Sequence, residues 1–165
     1  ARLMVIANAI ETRELARDPI RPRGDGELRL VYVGRLVETK GIADTIECMG
    51  RLRAEGRKTR LTIVGSGPEE PALRSLVDRL GLSEKVSFAG ALFGDAKNEI
   101  WRNSDVFAFP TFHNEGLPYS LLEAMAAGAV PVTTSVGFFH DAATTGIYAL
   151  IVRARDQEAI TGAFK

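Results

Sequence analysis

Short apolar runs rich in β-branched residues alternate along this chain with stretches whose apolar residues recur every three to four positions. That alternation leaves few folds open. Residues 28–34, 60–65, 85–89, 105–109 and 129–133 have strand length and composition. Residues 3–7 read as a short strand before them and 148–152 as one after. Helical patterns lie between: 40–55, where Ile42, Ile46, Met49 and Leu52 share a face, and a stripe of Leu73, Leu76, Val77 and Leu80 closed by Gly81. Shorter helices are expected over 96–101 and 120–127, a weak one near 138–144, and another from about residue 155. Residues 8–27, broken by Pro19, Pro22, Gly24 and Gly26, read as a linker or excursion. A strand followed by a helix returns to its sheet by a right-handed crossover, so the strands are parallel and covered on both faces. The expected fold is a doubly wound, Rossmann-like α/β domain. Ligands of such sheets bind beyond the carboxyl ends of the strands. Gly34-Arg35, Gly65-Ser66-Gly67, Gly90 and residues 111–118 and 134–137 fall there.

Composition removes several classes of function. With 165 residues the chain is one domain of ordinary size, and Lys+Arg and Asp+Glu both number 21, so it lacks the basic excess of a general nucleic-acid surface. No apolar run approaches the ~20 residues that span a membrane, and residues 2–7 are too short for a signal-peptide core. Cys48 is the only cysteine, which forbids an internal disulfide and points to a reducing compartment. With His113 and His140 it does not make a tetrahedral metal cage, and no Gly-x-Ser-x-Gly elbow is present.

Four stretches carry candidate chemistry. Arg35 and Lys40 follow Gly34 on the loop after the first long strand. They suit a diphosphate, Arg by a bidentate fork and Lys as a compact charge, or else they are two solvated surface cations beside an ordinary loop Gly41. Gly65-Ser66-Gly67-Pro68 has no third glycine at dinucleotide spacing and reads as a tight turn before a helix, which argues against hydride transfer. Glu115 and Glu123, seven residues apart, flank a Gly116-Leu117-Pro118 turn and a helix start at Tyr119. Free helix-start amides suit a phosphate and ionised carboxylates suit sugar hydroxyls, so the segment has the parts of a nucleotide-sugar site. The other reading gives Glu115 to a capping interaction and Glu123 to a solvated helix face.

Taken in order, Val33-Gly34-Arg35-Leu36 with Lys40-Gly41, Leu61-Thr62-Ile63-Val64-Gly65 with Gly67-Pro68, Val86 with Phe88 and Gly90, and Glu115-Gly116 with Leu121-Leu122-Glu123-Ala124-Met125-Ala126 and Pro131-Val132 resemble one family. It is that of the C-terminal, donor-binding domain of retaining GT-B glycosyltransferases, glycosyltransferase family 4, and the likeness runs from about residue 3 to 155. The resemblance implies that residues 1–165 are one half of a GT-B enzyme, with 1–27 a leading strand and linker and the N-terminal acceptor domain absent. The whole enzyme would move a hexose from a UDP- or GDP-sugar to an acceptor hydroxyl, with retention, in polysaccharide or glycolipid synthesis. It would work without a metal or other cofactor and in the cytoplasm, and this half alone would be inactive because transfer needs both substrates held together. A UDP-sugar 2-epimerase-like domain and a non-catalytic nucleotide-binding module are the alternatives.

The resemblance also implies roles. Arg35 and Lys40 match the cations that stabilise the departing nucleoside diphosphate, and Glu115 the carboxylate beside the donor sugar. Glu123 matches the residue that takes the ribose hydroxyls. Gly34, Gly116, Leu117, Pro118 and Tyr119 match turns that approach the phosphates and sugar, and Gly90 and Leu92 the loop along the base. Two departures stand out: a bulky 135–141 segment with Asp141 where the family usually has Gly-rich sequence and Glu, and Ala9 in the place of a usual Gly.

Overall fold

A computed structural model describes residues 8–15, 26–114, 116–135 and 149–165. Strands β1 (Leu28–Val33), β2 (Thr59–Val64), β3 (Val86–Gly90), β4 (Val106–Phe109), β5 (Val130–Thr134) and β6 (Leu150–Val152) form one sheet. Every pairing is parallel, in the order β3-β2-β1-β4-β5-β6. Helices α1 (Ile42–Ala54), α2 (Glu70–Arg79), α3 (Gly94–Arg102) and α4 (Tyr119–Ala126) follow β1 to β4 in turn, and α5 (Gln157–Ala163) follows β6. This is the doubly wound α/β domain expected from the alternation, with element ends displaced by at most two residues. The strand expected at 3–7 and the helix near 138–144 lie outside the described residues.

The strand order decides where a ligand fits. From β1 the chain works outward through β2 to β3, then returns to lay β4 on the other side of β1. Crossovers leave β1 and β4 in opposite directions, so a crevice opens at their carboxyl ends. Beneath it, Val31 and Tyr32 of β1 and Phe107 and Ala108 of β4 are fully buried. Phe107 carries the centre of the core, with Trp101 of α3 edge-on at 5.3 Å and Phe109 stacked at 5.2 Å.

Two expectations need correcting. Residues 8–15 are more than a linker: Leu15 is buried, Arg102 of α3 donates to the Glu14 carbonyl at 2.6 Å, and Asn8 donates to the Leu117 carbonyl at 2.7 Å. The helix expected from residue 40 begins at Ile42, because Glu38–Lys40 make a separate 3-10 turn that Gly41 ends in the left-handed region (φ 72°). Gly41 is not an ordinary loop residue. A Cβ there would lie 2.3 Å from the Pro110 carbonyl oxygen, so only glycine lets this turn press on the end of β4.

Helix α1 buries the expected Ile42, Ile46, Met49 and Leu52, but also Thr45 and Cys48. The wider face exists because α5 docks beside it. The Cys48 thiol lies 3.4 Å from Gln157 Oε1, and burial pushes it up to about 11. Gln157 Nε2 donates to Asp44 Oδ1 at 2.9 Å. Burial raises the Asp44 carboxyl above its ordinary 3.8, against the opposing pull of that hydrogen bond. A raised folded-state value means the contact favours folding below the ordinary carboxylate range and loses that advantage as pH rises through the folded value. Asp44→Asn keeps the acceptor for Gln157 and removes the charge. It should raise Tm by roughly one to three degrees at pH 7, with the gain vanishing near pH 4. Scanning calorimetry across that range checks it; a variant less stable at pH 7 would contradict the sign.

Candidate functional site

The first wall of the crevice is built by hydrogen bonds that continue the parallel ladder past the strands. Gly34 donates to the Val64 carbonyl at 3.0 Å, Leu36 to Ser66 at 2.9 Å and Gly65 to Gly90 at 2.8 Å. The buried Tyr32 hydroxyl donates to the Arg35 carbonyl at 2.8 Å. The loops after β1, β2 and β3 are thereby fixed to one another. They enclose a cleft of about 320 Å³ lined by Gly34 and Arg35 on one side, Gly65 and Ser66 at its floor, and Leu92, Phe93 and Lys97 opposite. The Phe93 ring, 81% exposed, stands at its rim.

The second wall follows β4. Lys40 ends the 3-10 turn with its ammonium 5.5 Å from the centre of the Phe109 ring. The Thr39 carbonyl accepts from Thr111 Oγ1 at 3.1 Å and from the Phe112 amide at 2.9 Å, while Thr134 Oγ1 donates to the Thr111 carbonyl. Arg155 stacks on Phe112 at 4.1 Å and pairs with Glu38 at 3.1 Å. The turn bearing Lys40 and the loop leading to Gly116 are therefore tied side by side. Pro118 is the N-cap of α4 and no side chain caps that end, so the helix presents its first-turn amides beside an exposed Tyr119.

Glu123 does not sit on a solvated helix face. Its side chain is 15% exposed, with Lys97 Nζ 2.7 Å from Oε1. Trp101 Nε1 donates to Oε2 at 3.1 Å. Lys97 also lines the cleft, so its ion pair ties Glu123 to the cleft wall opposite Arg35. Gly90 ends β3 and Leu92 lines the cleft; Gly116, Leu117 and Pro118 form the turn that leads into α4. Glu115, His140 and the bulky 137–147 segment lie outside the described residues. Sequence reasoning missed Lys97, Trp101, Ser66 and Phe93. The available signal was the four-residue spacing of Lys97 and Trp101, which puts both on one face of α3.

A larger groove of about 590 Å³ runs between α1 and α2, lined by Glu47, Gly50, Arg51, Arg53, Leu76 and Leu80. It is remote from the strand ends, and its Arg53 is committed to the Leu80 and Gly81 carbonyls at 3.0 and 2.8 Å. Volume alone does not make it the better site; the cleft at the carboxyl ends is lined by Arg35 and by Lys97, which carries Glu123.

Residues 27–165 match the sequence family described as glycosyl transferases group 1. An uncharacterized glycosyltransferase of Methanocaldococcus jannaschii is 36% identical over 115 residues, which is 68% of this chain and 28% of that protein. The chain spans between 28% and 39% of the length of the curated relatives it matches first. Among solved structures, HepE of Anabaena in complex with UDP and glucose superposes with a TM-score of 0.79 at 17% identity, over 95% of this chain and 45% of that one. The C-terminal domain of a glycosyl transferase group 1 family protein, LpcC of Francisella tularensis, gives 0.76 at 20% identity, over 94% and 85%. Among the described residues no helix is long and apolar enough to cross a membrane.

Proposed function

The chain belongs to the glycosyl transferases group 1 family and has the fold of a GT-B glycosyltransferase domain, and from that premise we propose that it is the donor-binding C-terminal half of a retaining hexosyltransferase of family 4. The observation that carries the reading is one cleft with Arg35 on one side and Lys97, holding Glu123, on the other. A nucleoside diphosphate needs cations for its phosphates and acceptors for its ribose; the cleft has the cations, and Glu123, held by one of them, is the acceptor beside it. Its donor is a UDP- or GDP-sugar; the fold shared with a protein that binds UDP and glucose supports the uridine form.

In this reading the nucleobase lies along Gly90 and Leu92, with the ribose hydroxyls on Glu123. The diphosphate reaches from Gly34 and Arg35 toward Lys40 and the amides of Gly116, Leu117 and Tyr119 after the Pro118 turn. Transfer breaks the bond between the anomeric carbon and the β-phosphate oxygen, and the acceptor oxygen bonds to the same face of the sugar. The acceptor proton passes to the departing phosphate. Negative charge grows on that leaving group, and Arg35 and Lys40 stabilise it where other transferases use a metal ion. Glu115 is assigned to the donor sugar. The acceptor is held by the N-terminal half of the enzyme, so this chain alone catalyses no transfer. The enzyme is placed in the cytoplasm.

Calorimetric titration with UDP and GDP tests this. One of the two should bind saturably with Kd on the order of millimolar, since half of the full cleft is contributed elsewhere. Glu123→Ala should weaken that binding roughly tenfold, the worth of hydrogen bonds to a charged acceptor. Saturation by neither nucleotide, or binding that ignores Glu123→Ala, overturns the reading.

A further inference from the structure

We infer that Trp101 and Lys97 are positioning residues that set the Glu123 carboxylate for a vicinal diol, so that ribose selectivity is determined on α3 as well as on α4. The inference rests on the donor-binding reading above and adds two residues to it. Glu123 projects from the middle of α4 on a side chain with three rotatable bonds, and nothing on α4 itself fixes its carboxylate. Helix α3 does. Lys97 and Trp101, four positions apart, take one carboxylate oxygen each: Lys97 Nζ at 2.7 Å from Oε1, Trp101 Nε1 at 3.1 Å from Oε2.

The indole is the rigid member of the pair. Trp101 is fully buried and held edge-on against Phe107, with ring centroids 5.3 Å apart. Its single N–H needs an acceptor when buried, and Glu123 supplies it. Lys97 closes the other side from the cleft, its side chain 21% exposed. An ionised carboxylate has about four acceptor positions. With one on each oxygen taken from the α3 side, one on each oxygen is left. That remainder is one acceptor position on each oxygen, enough for one hydroxyl each of a vicinal pair.

The readout is ribose discrimination, which a residue that only stabilises the fold does not change. Affinities are measured by NMR titration for UDP or GDP, whichever binds, and for its 2′-deoxy and 2′,3′-dideoxy counterparts. The wild-type chain should favour the ribose form roughly tenfold, and Glu123→Ala should lose that preference. Trp101→Phe keeps the ring on Phe107 and removes the donor; the preference should fall to about twofold or threefold, with affinity for the dideoxy form unchanged. Adding Trp101→Phe to Glu123→Ala should cost nothing further in discrimination. Lys97→Met, at a partly exposed position, keeps the stem without the charge and should also lower the preference, whatever it does to overall affinity; it carries the test if Trp101→Phe does not fold. If the wild-type chain shows a preference that Glu123→Ala abolishes but the Trp101 and Lys97 variants retain in full, the inference is wrong and the donor reading stands. If the wild-type chain binds the nucleotide with no ribose preference, the role of Glu123 falls, and this inference with it.

Discussion

Replacing both Arg35 and Lys40 with alanine should erase the advantage a nucleoside diphosphate has over its nucleoside in binding this chain. Arg35 lines the cleft from the end of β1, and Lys40 stands over Phe109 at the end of β4, so the two cations straddle the point where the strand order reverses. In the donor-binding reading the diphosphate lies across that point and meets both. Each charge-assisted contact is worth about 1.5–3 kcal/mol at a partly exposed site. Losing two therefore removes on the order of a hundredfold or more in affinity. Backbone amides at the start of α4 remain in the variant, but helix-end donors contribute about 0.3–1 kcal/mol and do not replace a guanidinium. The single Arg35→Ala change should have the larger share, because a planar fork grips two oxygens where an ammonium meets one. Salt gives an independent check. Wild-type affinity for UDP or GDP should fall as sodium chloride rises from 20 mM to about 0.5 M, because screening is nearly complete within a few ångströms at that strength. The double variant should show a flat response. A variant that still prefers the diphosphate over the nucleoside by tenfold would move the phosphate site away from these residues.

How far the sequence alone carries can be judged element by element. The alternation of β-branched runs with helical stripes specifies a parallel, doubly wound sheet because each element's pattern is local, and all six described strands appear where those runs predict them. The α1 stripe of Ile42, Ile46, Met49 and Leu52 is legible for the same reason. What the sequence does not display is contact between distant segments. The second buried side of α1, at Thr45 and Cys48, depends on α5, which arrives about a hundred residues later. Leu15 looks like part of a polar linker because its segment is tied down from a distance, by Asn98 and Arg102 of α3 holding the adjacent Glu14. Glu123 left two readings open from its helix alone. The choice between them was made by Lys97 and Trp101, 26 and 22 residues earlier, and a period-counting argument has no access to that pairing. The glycines after β2 were a third case. They lack the spacing of a dinucleotide fingerprint, and the structure shows a different use for them. A Cβ on Gly67 would come 2.3 Å from the Leu36 carbonyl oxygen, so the glycine admits the neighbouring loop rather than a phosphate.

Gly65 makes that use measurable. Its φ is 137°, and a Cβ there would lie 1.8 Å from the Gly34 carbonyl oxygen and 2.9 Å from its carbon. Both are backbone atoms, so no rotamer change relieves the clash. Nor can the backbone slide freely, because Gly34 donates to Val64 at 3.0 Å and Gly65 to Gly90 at 2.8 Å. To admit a methyl group the ends of β1 and β2 must part, which breaks the ladder at the very loops that carry Arg35 and Ser66. Gly65→Ala should therefore cost about 3–5 kcal/mol, combining an unfavourable φ with overpacking against main chain. At 2–4 °C per kcal/mol for a domain of this size, Tm should drop by roughly 6–20 °C. Gly116→Ala is the control: a Cβ there meets no atom within 4 Å, so Tm should move by no more than about two degrees. The comparison separates strain from a general intolerance of the crevice to substitution. If Gly65→Ala melts with Gly116→Ala and the wild-type chain, the loops after β1 and β2 are not pressed together as described. Arg35 would then lack the fixed backbone that aims it into the cleft. If Gly65→Ala is destabilised as expected yet remains folded at low temperature, its nucleotide affinity should be reduced as well, because separating those strand ends moves Arg35 away from the Lys97 side of the cleft.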